Sequence, residues 1–170
     1  MKNQLVLFTT DFPFGTGETF LETEIIYLSK EFQEVRIITQ NTTSKICRDL
    51  PKNCFVERIN IEVSKLDKIK SLFGLFSTLF WNEIKVIKTI YGKSITKEMI
   101  STMLISLYRG KKIKTIVLGL RNSNIQNTKH FFYSYWCDDV ALGLALAQDE
   151  KNTLNCFCSN TVHRCVDNSK

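Results

Sequence analysis

The sequence predicts an α/β domain built on a parallel sheet, and three observations predict it. Residues 5–8, Leu-Val-Leu-Phe, form an unbroken apolar run, the pattern of a strand buried on both faces. A turn holding Pro13, Gly15 and Gly17 follows, and apolar residues then recur at helical spacing. Residues 34–39, Glu-Val-Arg-Ile-Ile-Thr, are again rich in β-branched side chains. A strand, a helix and a strand in that order imply parallel pairing through a right-handed crossover.

The elements follow in order. Residues 4–9 read as the first strand. Thr16 is placed to cap the next helix, with Glu18 and Glu22 in its first turns, where the dipole favours negative charge. Phe20, Leu21, Ile25, Leu28 and Phe32 make that helix's apolar face. Residues 41–53 are polar, contain Pro51 and read as a loop, and residues 54–61 are a third strand. A helix is predicted over residues 65–88, its centre apolar nearly all round. A second is predicted over residues 94–108, capped by Ser94 and ended by Gly110. Residues 111–121 are a further short helix or a strand. Residues 129–136, Lys-His-Phe-Phe-Tyr-Ser-Tyr-Trp, are strongly β by propensity. A helix starts at Asp138 or Asp139, and residues 153–159 are a last strand. The whole is a Rossmann-like parallel sheet with flanking helices over residues 1–159, a helical insertion at about 65–122, and an irregular tail at 160–170. In such sheets ligands sit at the carboxyl ends of the strands, so residues 12–17 and 135–139 belong on one edge.

The chain has 170 residues, 44% of them hydrophobic and 24% charged, enough for one domain with a real core. A net charge of +6 suits anionic partners, but the lysines are dispersed and no run resembles a nucleic-acid arm. No stretch reaches the length of a membrane span, and the first apolar run is too short for a signal peptide. The expected location is the cytoplasm, with peripheral contact at the inner face of the membrane. There the six cysteines are expected to be mostly free thiols.

Residues 12–25, F-P-F-G-T-G-E-T-F-L-E-T-E-I, resemble the first strand–helix unit of GT-B glycosyltransferases of the bacterial surface-polysaccharide type. Residues 133–136, Y-S-Y-W, with A-L-G-L-A-L-A after them, are similar to a second landmark of that group. The resemblance covers about residues 5–148. It implies two Rossmann-like domains with a cleft between them, the N-terminal one receiving a saccharide or lipid-linked acceptor and the other binding a nucleotide-sugar donor. The chain has room for the first domain only, so it reads as truncated and is expected to transfer little or no sugar by itself. No metal or other cofactor is expected, since helix and loop dipoles take the metal's place.

Within that resemblance, Gly15 and Gly17 face the donor phosphate or the acceptor, or else mark a turn that needs positive backbone angles. Glu18 bonds a sugar hydroxyl or is a solvated partner of the helix dipole. Tyr135 and Trp136 stack on the apolar face of a sugar, with alternate aromatics in the core. His163 is matched to the histidine of a motif like S-R-x-H-R-x-D that reaches the donor sugar. Here the text is S-N-T-V-H-R-C-V-D, with the first arginine missing and one residue extra. His130 reads as structural, and Asp138 and Asp139 as a helix cap and its neighbour. Cys156, Cys158, His163 and Cys165 lack the spacing of a zinc knuckle.

The segment 65–81 joins Lys65, Lys68 and Lys70 to Leu72, Phe73, Phe76, Leu79, Phe80 and Trp81. It either packs against the sheet or lies on an anionic membrane surface. A function from another class follows from it: a non-catalytic α/β module that binds a membrane or a partner.

Overall fold

The first strand predicted by the sequence is the middle of the sheet. The computed structural model describes residues 2–40, 43–122, 128–148 and 155–158. Five strands, β1 (Lys2–Thr9), β2 (Glu34–Thr39), β3 (Cys54–Arg58), β4 (Thr128–Ser134) and β5 (Asn155–Cys158), pair in the order β3-β2-β1-β4-β5, all parallel. The fold is α/β and Rossmann-like. The chain runs outward from β1 to β3, crosses back, and resumes at β4 on the other side of β1. The β1/β4 boundary is therefore the switch point, where a parallel sheet opens a crevice at its carboxyl edge.

Alternation along β1 divides the core. Leu5 and Leu7 pack with Leu21 and Ile25 of helix α1 (Phe20–Glu31) on one face. Val6 and Phe8 pack on the other face with Ile113 and Val117 of α4 (Lys97–Asn122) and with Val140, Leu144 and Ala147 of α5 (Asp139–Ala147). Burial on both faces explains why β1 is apolar without interruption.

The segment between β3 and β4 departs from expectation in three ways. The predicted single helix over 65–88 is three pieces: α2 (Lys65–Ser71), a 3-10 turn (Leu72–Phe76) and α3 (Thr78–Thr89). The break accompanies Gly74, which lies so near α4 that a Cβ there would stand 2.8 Å from Leu104 Cδ2. Conversely, the helices predicted on either side of Gly110 are one helix, α4. Gly110 does not end it but admits α5, because a Cβ there would be 3.0 Å from Leu142 Cγ. Thr96, not Ser94, accepts the N–H of Met99 at its start.

The third departure is in exposure. Phe80 and Ile84 of α3 pack with Leu104 and Leu107 of α4. Leu66, Ile69, Leu72, Phe73, Phe76, Leu79 and Trp81 instead face solvent, so most of this apolar segment is not packed against the sheet. Among the described residues no helix is long and apolar enough to cross a membrane.

Candidate functional site

The loop after β1 is held by a carboxylate. Helix α1 begins at Phe20, with Thr19 before it and no side-chain cap, so neither the Thr16 cap nor the first-turn position of Glu18 is observed. Glu18 stands in the left-handed region, at φ 52°, where only a few per cent of non-glycine residues are found. Its carboxylate explains that cost. It accepts the backbone N–H groups of Thr10 at 3.1 Å, Asp11 at 2.8 Å and Phe12 at 2.8 Å. Trp136 Nε1–H, from the loop after β4, donates to it at 2.7 Å. Glu18 thus fills a nest of amides with the protein's own anion and ties the two loops together.

The glycines have separate tasks. Gly15 adopts φ 69° and does not line the cleft between the loops; its position is that of a turn. Gly17 does line the cleft, and a Cβ there would fall 2.4 Å from Asp11 Oδ2. Both carbonyls accept from Arg48 Nη2, at 2.9 Å and 2.7 Å, and Arg48 also pairs with Glu22 at 3.1 Å. The Arg48 side chain is 14% exposed and pins the turn from the segment read as a plain polar loop. Nothing in the spacing of Arg48 announced this, because the contact spans more than thirty residues.

The second loop presents one aromatic ring to the cleft. Tyr133 Oη donates to Glu24 of α1 at 2.9 Å, and Tyr135 stacks on Phe20 at 4.2 Å, so both turn toward α1. Trp136 is 39% exposed and lines the cleft with Cys137 and Asp138. Asp138 caps α5 by accepting the Val140 N–H at 2.9 Å, as the sequence predicts. Burial pushes its carboxyl above the usual carboxylate range, with Asp139 adding to this and the Val140 and Ala141 amides opposing it.

The resulting crevice, of about 520 Å³, lies at the β1/β4 switch point between Thr10, Asp11, Gly17 and Glu18 on one side and Trp136, Cys137 and Asp138 on the other. The two loops predicted to share the carboxyl edge do share it. Among the described residues its lining holds three carboxylates and no lysine or arginine. No family model matches the chain, and no curated protein or solved structure matches it. The chemistry of the cleft is therefore read from its own residues. An aromatic ring beside hydrogen-bond-accepting carboxylates suits a neutral, hydroxyl-rich ligand, because a phosphate here would meet like charge.

His163 and Cys165 lie outside the described residues. His130 sits at the other end of β4, opposite Gln4 in β1, with its pKa lowered by burial and by Arg36. Cys47, Cys54, Cys137 and Cys156 take part in no disulfide among the described residues, and burial raises Cys54 to about 11, which leaves it unreactive. Among the described residues no three histidine, cysteine or acidic side chains are grouped to hold a metal ion.

Asp138 yields a test of cap against charge. Because burial raises its pKa, its charged form opposes folding as pH rises through the folded value, and protonation removes that penalty. Asparagine caps equally well. Asp138→Asn should therefore unfold at the same or a higher temperature than wild type at pH 7, with the gain fading in acid. Asp138→Ala should lose about 1 kcal/mol. Thermal unfolding from pH 4 to pH 8 reads both.

Proposed function

We propose that this domain is the acceptor-side wall of a two-domain GT-B glycosyltransferase that builds cell-surface polysaccharide, and that the crevice receives the acceptor saccharide. One observation carries the reading: Trp136 stands at the switch point beside Asp11 and Asp138, in a lining that holds no lysine or arginine among the described residues. The indole offers its face to a sugar ring, and the carboxylates accept sugar hydroxyls. Asp138, whose pKa is raised, is the group suited to take a proton from an attacking hydroxyl. The nucleotide-sugar, with its diphosphate, belongs to a second domain that supplies cations. Gly17 admits the acceptor, while Glu18 aims Trp136.

The chain contains two tryptophans, so Trp81→Phe leaves Trp136 as a single reporter. Titration of that variant with disaccharides of hexoses and N-acetylhexosamines should give a saturable change in fluorescence. Replacing Trp136 by alanine, followed by calorimetry, should weaken binding roughly tenfold. Sugar transfer from a nucleotide-sugar by the 170 residues alone is not expected. A chain that ignores every saccharide yet binds a nucleoside diphosphate in this crevice would overturn the acceptor assignment.

A non-catalytic binding module is the second reading, favoured by the exposed apolar face of residues 65–81. It predicts no response to saccharides.

A further inference from the structure

The amphipathic order of α2 and the 3-10 turn is inverted relative to a helix that packs on a core. The side turned to α4 carries Asp67, Ser71 and Gly74. Ser71 and Gly74 are buried, and Asp67 accepts the Tyr108 hydroxyl and pairs with Lys112 at 3.4 Å. The side turned to solvent carries Leu66, Ile69, Phe73 and Phe76, at the three- and four-residue intervals of a single stripe. Phe73 is 68% exposed and Phe76 86% exposed. A soluble helix ordinarily turns such a stripe inward, and an exposed patch of this kind marks an interaction surface.

We propose that this face docks on an anionic lipid bilayer, lying in the interface without crossing it. Charge selects the occupant. Residues 65–88 contain five lysines, Lys65, Lys68, Lys70, Lys85 and Lys88, against Asp67 and Glu83, and Asp67 is engaged with Tyr108 and Lys112. A groove of about 410 Å³ beside the 3-10 turn is lined by Phe73 and Tyr108 together with Lys70 and Lys111, a lining suited to an acyl chain and its phosphate. A second copy of the chain, with the same +6 charge, would bring lysine rims together across a two-fold interface. A bilayer carrying negative headgroups relieves that charge and covers the aromatics. Trp81 is suited to the same boundary: its indole N–H is held by the Leu75 carbonyl at 2.7 Å while its ring remains exposed. The docking is independent of the saccharide reading, since none of these residues lines the cleft at the switch point.

The test is sedimentation of the full chain with vesicles of phosphatidylglycerol and phosphatidylcholine, against phosphatidylcholine alone. Wild type should pellet with the anionic vesicles, and Trp81 emission should shift to the blue. Phe73→Asp with Phe76→Asp should lower the partition constant at least tenfold. Lys68→Gln with Lys70→Gln should lower it on the order of tenfold for anionic vesicles only. All the altered side chains are exposed, so the thermal unfolding of both variants should match wild type and excludes misfolding as the cause. Wild type remaining in the supernatant, or the double aspartate variant binding as wild type does, overturns the proposal. So does a concentration-dependent dimer abolished by the aspartates without vesicle binding. Saccharide titration of the aspartate variant separates this outcome from failure of the cleft.

Discussion

Glu18→Ala should abolish most saccharide binding and lower stability by about 2 kcal/mol. The carboxylate takes the N–H groups of three consecutive residues and the indole N–H of Trp136, and hydrogen bonds to an ionised group are worth about 1.5–3 kcal/mol each. Two effects reduce the net loss: these groups lie partly exposed, so water replaces some of the bonds, and no function of the carboxylate remains to hold residue 18 at φ 52°. Glu18→Gly, which adopts that angle freely, should be more stable than Glu18→Ala by about 1 kcal/mol and equally defective in binding. The emptied nest supplies a further readout. Three amides aimed at one point should then bind inorganic phosphate, so phosphate should raise the unfolding midpoint of Glu18→Ala and leave wild type unmoved. Wild-type stability and wild-type saccharide affinity in Glu18→Ala would show that the carboxylate only decorates the loop.

How much of this was legible in the sequence varies by element. β1, β2 and α1 could be read because burial imposes local period: two-sided burial makes a continuous run, and one-sided burial makes a helical stripe. The shared edge of the two loops followed from parallel topology alone. The helical insertion was misread at its glycines. Gly74 reads as the interior of one helix and Gly110 as the end of another, yet the first accompanies a break and the second lies inside α4, and what decides each is the partner packed against it. Glu18 was misplaced for a related reason. A glutamate near a helix start favours the dipole on average, but this one serves amides that precede it by six to eight residues. Asp11 attracted no role because a lone aspartate in a turn is common, and its place in the cleft depends on β4. Arg48 was invisible because two of its partners are backbone carbonyls, which any residue supplies, and the third, Glu22, lies 26 residues away in sequence.

Gly143→Ala should destabilise the protein by about 1–2 kcal/mol, although alanine is the better helix former. A Cβ at this position would stand 2.5 Å from both Cβ and Cγ2 of Ile113 and 2.9 Å from the Gly110 carbonyl oxygen. These atoms sit on or next to the α4 backbone, so no rotation of a flexible side chain relieves the overlap, and α4 and α5 must separate. Overpacking of this kind costs about 1–3 kcal/mol and occasionally more, while the helix propensity gained from alanine offsets about 1 kcal/mol at most. Gly119 supplies the control within α4. A Cβ there meets nothing within 4 Å, so Gly119→Ala should stabilise by up to about 1 kcal/mol. Urea unfolding of the two variants should move in opposite directions, and movement in the same direction would mean that α4 and α5 are not seated against each other as described. The separation also reaches the cleft. Asp138 caps α5, and Arg109 of α4 holds Asp139 at 3.1 Å, so a displaced α5 carries the Asp138 carboxylate away from Trp136. Saccharide affinity should therefore fall in Gly143→Ala and remain unchanged in Gly119→Ala.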